Sequence, residues 1–446
     1  MDAFIERPKF TCALGGAIAA INALPRSVSI VHASGGCGSS LSGVYNSAAG
    51  YFGSGYCSGN MESTSNIAEK EIIFGGEDKL LDEIRTSIEI IDADLYFVLS
   101  GCQVEMIGED TVGTAKRFQG GDVRVLAANT PGFAGNSYHG YDTVMAEIAK
   151  SLVKRKDKKR TNVVNILGIV PGQDVFYKGN LREIKRILFA LGLKANTFFG
   201  ENETVEDIEN SGDAALNLVF SEFYGVKAAK TFEEVHGIPY IQTDLPIGDT
   251  ATERFIRLVA GALHINQNKV RRLIASEKKY YYSYVERMLD IYADIDLQRY
   301  LIAVLDSSYA YPIMQFLSDD VGWIAHLAIV NDIEDGAQQL RYAEKFKTLE
   351  SSSRPAVVFE PHTGQVRKHI TDSWPRNRND RYYDALGPSF VIGSSLEGST
   401  AASLNAGFLP IAFPLTSRLV LNKGYTGYHG ALALLEDIFS VLVAGR

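Results

Sequence analysis

Four cysteines, Cys12, Cys37, Cys57 and Cys102, fall in the first quarter of a 446-residue chain, and none follows them. Thiolates are soft ligands suited to zinc and to iron–sulfur clusters, and clustered cysteines in a reducing compartment point to metal or catalysis more than to disulfides. No two form a CxxC pair, which argues against a zinc ribbon or a bacterial ferredoxin run. Ligands this far apart must converge from separate loops of one domain. The competing reading is a set of buried, inert cysteines. Glycine surrounds three of the four: Cys12 precedes ALGGA, Cys37 lies in HASGGCGS and Cys102 in SGCQVEMIGED. Such loops let backbone approach a cluster closely and offer N–H groups to its sulfides.

Elements must bring these loops together. The chain alternates β-branched strand, glycine turn and amphipathic helix, which predicts parallel sheets covered by helices. Strands are expected at 27–32, 95–99 and 123–128, with a helix over 78–91. Cys37 and Cys102 then follow strands, where open α/β sheets collect ligands. A helix is expected over 144–153. The basic stretch KRKDKKR, 154–160, reads as a solvated connector. Beyond it come strands at 162–170, 214–220 and 239–241 and a helix over 180–191 that ends at Gly192. The last segment offers helices over 252–263 and 269–293 and strands at 300–305, 324–330, 356–359 and 389–392. The expectation is an α/β chain of three similar domains, each a parallel sheet flanked by helices, over 1–153, 161–248 and 249–446. The third would end in a closing C-terminal helix over 430–443.

Composition narrows the function. Lys plus Arg number 44 against 53 Asp plus Glu, a formal charge of −9. Phosphate backbones demand a basic footprint, so nucleic acid and anionic membrane are not expected partners. No apolar run reaches the ~18–20 residues of a membrane span, and the start lacks a secretion signal. A cytoplasmic location is expected. The chain has no P-loop pattern, no GxGxxG after a strand, no HExxH and no GxSxG.

At its cysteine loops the sequence resembles the component 1 (dinitrogenase) subunits of nitrogenase and their nitrogenase-like relatives. FTCALGGA, VHASGGCGS and SGCQVEMIGEDT resemble the family's three cluster loops. SNIAEKEIIFGGEDKL resembles its EKDIVFGG block, and NTPGFAGNSYHGYD the block that follows the third loop. NVVNILG and GNLREIKRIL match the second domain. LPIGDTATERFI, SFVIGSS, FPLTSR and GYTGYHGALALLEDI match the third. The ordered set, with three cysteines in place, is far more specific than any one block.

The resemblance implies roles that spacing does not. Cys12, Cys37 and Cys102 would ligate an iron–sulfur cluster at the interface of two related subunits. That cluster is expected to be a P-cluster (8Fe-7S type), with a 4Fe-4S cluster as the alternative. Gly35, Gly36, Ser100 and Gly132 would line it and tune its potential. Cys57 lies outside the matching loops and is read as non-ligating. The partners would be an α-type (D-like) subunit in an α2β2 assembly and a separate ATP-dependent iron–sulfur reductase. No cysteine follows Cys102, and His429 in GYTGYHGA reads as part of the ordinary closing segment. His139 lies near a functional histidine of the α-type chain, but its GYD surroundings resemble the β-type. The chain therefore reads as the β-type subunit, an electron relay.

Some features depart from the family's molybdenum-type β chain. Gly132 stands where that chain has a serine ligand, and its long amino-terminal extension has no counterpart. These favour an alternative nitrogenase or a nitrogenase-like reductase, such as methylthio-alkane reductase. Two other classes are a cofactor-assembly scaffold of the same family and a dark-operative tetrapyrrole reductase with a four-iron cluster.

Overall fold

The strand Ser27–His32 (β1) is an unbroken buried run of Ser, Val, Ile and His, the pattern of a strand covered on both faces. It nucleates the first of three all-parallel sheets in a computed structural model that describes residues 5–51, 62–120, 123–288, 291–292, 298–333, 335–373 and 387–444. Cys57 lies outside the described residues. The chain divides into two compact units. One holds residues 10–243 and 419–421, the other 1–9, 244–418 and 422–446.

The unit of residues 10–243 contains two sheets. The first has the order β2-β1-β3-β4, with β2 at Ser63–Thr64, β3 at Leu95–Ser100 and β4 at Val125–Asn129. Its helices are α1 (Ala13–Ala23), α2 (Gly35–Ala48), α3 (Glu69–Phe74), α4 (Glu77–Ile90), α5 (Cys102–Met106), α6 (Thr111–Lys116) and α7 (Ser137–Glu147). Leu80 and Ile84 of α4 pack on Val28, Ile30, Tyr96 and Val98, one apolar stripe on one sheet face. The second sheet has the order β6-β5-β7-β8, from Lys194–Asn196, Arg160–Leu167, Ala214–Val219 and Tyr240–Gln242. It carries α8 (Tyr177–Ala190), α9 (Val205–Asn210) and α10 (Val226–His236).

The parallel-sheet, helix-flanked α/β class holds, and most expected elements appear within a few residues. The helix expected over 144–153 starts earlier, at Ser137, and ends in a π turn, Ile148–Leu152. Within HASGGCGS, Gly35 onward forms the start of α2, not an irregular loop. The basic connector is less free than its charge suggested. Lys154 pairs with Glu209 at 2.7 Å, Arg160 with Asp213 at 2.7 Å, and Lys159 donates to the Gly212 carbonyl at 2.6 Å.

Helices α1 and α7 touch backbone to backbone. A Cβ on Gly16 would run into the Ser137 carbonyl, and one on Gly140 into that of Ala13. Next to this crossing, the buried Asp142 accepts the Ala228 N–H at 3.4 Å at the start of α10, with Lys227 nearby. Burial pushes its carboxyl up to about 7 from 3.8. Between those values the unfolded chain releases the proton and the folded chain keeps it. The stability contributed by Asp142 is therefore full below about pH 4 and lost as pH rises through 7. Asp142→Asn keeps the acceptor and removes the charge. It should gain about 1–3 kcal/mol more at pH 8 than at pH 5. Urea unfolding at both pH values checks this, and an equal effect at the two would refute it.

The other unit contains the sheet β11-β10-β9-β12-β13, from Ala356–Phe359, Ile324–Val330, Tyr300–Leu305, Ser389–Ser394 and Gly407–Ala412. The chain leaves β9 to one side for β10 and β11, then returns to its other side for β12 and β13. The β9/β12 gap is thus the switch point where such sheets bind ligands. Here a side chain occupies it. Lys9 is buried, with Nζ 2.7 Å from Glu397 Oε1 just past β12 and within the field of Asp306 just past β9. Helices α11 (Gly248–Ala262) and α12 (Gln267–Val285) pack with the closing helix Gly427–Ala444. That closing helix is long and apolar enough to cross a membrane by composition. It nevertheless buries Tyr428, Ala431, Leu434, Leu435 and Ile438 in its unit, and its Asp437 pairs with Arg418 and Lys423.

Candidate metal centre

Three helix N-termini meet at the carboxyl edge of the first sheet, and each presents a cysteine. Cys12 is the N-cap of α1, Cys37 lies in the first turn of α2, and Cys102 is the first residue of α5. Helix N-termini carry unpaired N–H groups that can donate to sulfur. All three are free and half-buried.

Cys12 and Cys102 lie closest together, and Cys37 joins them through the second loop. The Gly132 N–H points at Cys102 Sγ at 3.1 Å. A Cβ on Gly132 would lie 3.1 Å from Cys102 Sγ and 3.4 Å from Cys12 Sγ, so the two sulfurs flank one empty notch. Gln103 Nε2 reaches Ser34 Oγ at 3.4 Å, and Ser34 Oγ lies 3.5 Å from Cys37 Sγ, which ties the second and third loops. The short strand contact between Cys12 and Asn136 holds the first loop beside the block that carries Gly132. Burial pushes the Cys12 thiol up, the N–H groups of Gly15 and Leu14 oppose this, and Cys102 and Cys37 push it further up. Burial and its cysteine neighbours disfavour ionisation of Cys12 unless a cation lies beside it.

An iron–sulfur cluster fits this donor set: three soft ligands, donor N–H groups and a notch without a Cβ. Of the residues expected to line it, Gly132 lies against the Cys102 and Cys12 sulfurs. Gly36 meets nothing within 4 Å of a notional Cβ, so it leaves open space beside Cys37. The Gly35 N–H is committed to Asn66 Oδ1 at 3.1 Å. Ser100 Oγ donates to Glu105 and accepts the Thr130 N–H at 3.0 Å, so it shapes the loop from behind. His139 is exposed, with its Cβ against Gly135.

A buried network that spacing did not reveal fastens the loops. His32 Nε2 bonds Glu109 Oε1 at 2.8 Å, and Nδ1 bonds Ser65 Oγ at 2.8 Å. Glu109 Oε2 also accepts the Gly76 N–H at 3.0 Å. Burial lowers the His32 pKa below its ordinary value despite the carboxylate, so the ring is neutral and its two bonds fix the tautomer. One side-chain cluster thereby joins VHASGGC, SNIAEK and IGED. The signal was present as a histidine and a glutamate inside two cysteine blocks, but nothing in their spacing showed that they meet.

The rim is apolar. Phe133 next to Gly132 is 66% exposed, Met106 at the end of α5 78%, and Phe74 at the end of α3 80%.

Comparison with known proteins identifies the family. Residues 12–443 match the family described as nitrogenase component 1 type oxidoreductase. The chain is 25% identical to the nitrogenase molybdenum-iron protein beta chain of Sinorhizobium fredii, over 99% of this chain and 84% of that one. It is 23% identical to the nitrogenase vanadium-iron protein beta chain of Trichormus variabilis, over 71% and 72%. It is 27% identical to the cofactor biosynthesis protein NifE of Clostridium pasteurianum, over 64% and 60%. A solved structure of nitrogenase Cp1 at pH 6.5 superposes with a TM-score of 0.80 at 20% identity, covering 100% of this chain and 94% of that one. The chain belongs to the nitrogenase component 1 type oxidoreductase family.

Proposed function

We propose that this chain is the β-type subunit of a component 1 reductase, holding an iron–sulfur cluster through Cys12, Cys37 and Cys102. The observation that carries the reading is the set of three cysteine-bearing helix N-termini, with the Cys12 and Cys102 sulfurs against the Gly132 notch and Cys37 tied to the third loop through Ser34 and Gln103. Three ligands on a half-exposed face leave one side of the cluster for a partner, here an α-type subunit in an α2β2 assembly. Bound there, the cluster would accept and release single electrons. The protein holds the three thiolates in place, aims the Gly132 N–H at the Cys102 sulfur and shields that sulfur from water once the rim is covered. An ATP-dependent iron–sulfur reductase would supply the electrons, in keeping with the lack of a P-loop in this chain.

Gly132 offers no side-chain ligand, which supports an alternative nitrogenase or a nitrogenase-like reductase such as methylthio-alkane reductase. The resemblance to NifE supports a second reading, a scaffold on which a cofactor is assembled. Iron analysis with EPR on the purified complex separates these. About eight irons per subunit pair at this site support a P-cluster. About four support the 4Fe-4S alternative of a tetrapyrrole-type reductase. No iron at all would overturn the metal reading, and a cluster without electron transfer to the partner would favour the scaffold.

A further inference from the structure

We propose that His32 is a positioning residue of the three-cysteine centre: it clamps both ends of the short helix that presents Cys102, and through Ser65 it sets that helix against the one that presents Cys37. The inference rests on the cluster reading and deepens it. Helix α5 has five residues, Cys102–Met106, too few to hold their own orientation in water. The orientation must come from the ends. In front, the Gly101 N–H donates to the His32 carbonyl at 2.9 Å. A Cβ on Gly101 would run into that of Ala33, so the two backbones lie close there. Behind, the Glu109 N–H returns to the Val104 carbonyl at 3.1 Å, which ties Glu109 to the helix. The Glu109 carboxylate then takes the His32 Nε2–H at 2.8 Å. One residue therefore holds α5 by its backbone in front and by its ring behind.

The same ring reaches the second loop. With the proton on Nε2, Nδ1 accepts the Ser65 hydroxyl at 2.8 Å. The next residue, Asn66, has a left-handed backbone with φ 48° and accepts the N–H of Gly35, the first residue of α2, at 3.1 Å. A chain of bonds thus runs from the Cys102 helix through His32, Ser65 and Asn66 to the helix that carries Cys37. Gly76 closes the back. Its N–H donates to the other Glu109 oxygen at 3.0 Å, and a Cβ there would lie 3.3 Å from His32 Cε1. None of these side chains belongs to the expected ligand set. They fix where two of the sulfurs stand before any iron arrives, and they keep Cys102 Sγ 3.1 Å from the Gly132 nitrogen. Ligand placement and N–H donors to sulfur both tune the potential of a cluster.

The test compares His32→Leu, His32→Gln and Ser65→Ala with the parent in the purified complex, reading iron per chain, EPR line shape and midpoint potential. Leucine keeps bulk but no polar atom. The His32→Leu cluster should show an altered line shape and a more negative potential, because a displaced Cys102 sulfur loses its N–H donor. Loss of iron with circular dichroism unchanged is the same displacement carried further. A glutamine amide still donates to Glu109, so His32→Gln should restore the parent line shape and potential, with Ser65→Ala between the two. Hydrogen exchange on the iron-free complex reads the clamp without the cluster. Residues 101–109 should exchange at least about tenfold faster in His32→Leu, the size expected for a lost buried hydrogen bond to a charged group. Parent line shape and potential in every variant, even with lowered stability, overturns the positioning role and leaves the cluster reading intact. His32→Gln as altered as His32→Leu overturns it as well. A parent complex without iron overturns both readings. If His32→Leu does not fold, Ser65→Ala carries the test, and identity with the parent in line shape and potential overturns the proposal.

Discussion

Cys102→Ala should abolish the iron bound at the three-cysteine site and its EPR signal, while the chain stays folded. Cys102 is the hub of the site, since its sulfur takes the Gly132 N–H and shares the notch with Cys12. An iron–sulfur cluster needs a thiolate on each ligated iron, and alanine supplies no donor in its place. The sulfur is half-buried, not packed in a core, so its loss leaves little cavity. A change in chain stability within about 1 kcal/mol is expected. Cys12→Ala and Cys37→Ala should behave the same way, because each removes one helix-N-terminal thiolate from the same centre.

Cys57→Ala is the internal control, and it should retain full iron content. The four variants can be compared by iron per chain, EPR and far-UV circular dichroism. If all four lose iron alike, the division into three ligands and one bystander is wrong. If Cys102→Ala keeps its iron, the cluster does not sit where these helices meet. A serine in place of Cys102 is a harder oxygen donor, and it should hold the cluster less well than cysteine but better than alanine.

The elements best read from sequence were those whose burial is symmetric. Ser27–His32, Leu95–Ser100 and Tyr300–Leu305 are fully or almost fully buried runs, so their composition alone marks them as parallel strands. Short strands such as Lys194–Asn196 and Ser63–Thr64 carry no pattern, because two or three residues cannot show a period. The helix at Cys37 was hidden by its glycines and serines, which disfavour helix locally. It forms through tertiary contacts that propensity does not record. The cysteine set was legible through the resemblance of its blocks. The His32–Glu109–Ser65 network was not, since it depends on three distant segments meeting at one buried point.

Lys9→Met should lower the unfolding free energy by about 3–5 kcal/mol, the largest stability effect expected outside the metal centre. Lys9 and Glu397 have side chains 1% and 2% exposed, so neither charge sees water. Glu397 is not there for Lys9 alone, because it also accepts the Ser394 N–H and hydroxyl, each at 2.8 Å, closing the turn after β12. Removing the lysine strands that carboxylate in a dry site at the β9/β12 switch point, beside Asp306. The ammonium makes an ion pair at 2.7 Å but no well-directed hydrogen bond. The attraction therefore offsets desolvation without adding much net stability. It follows that deleting both charges should be far milder than deleting one. In Lys9→Met/Glu397→Gln the amide oxygen still accepts from Ser394, and most of the loss should be recovered. A double-mutant cycle by urea unfolding measures the coupling, expected at 2 kcal/mol or more by the usual size for groups in contact. Additive single effects would show that the pair is not a pair, and that the switch point of this sheet is filled by Lys9 only as a bystander.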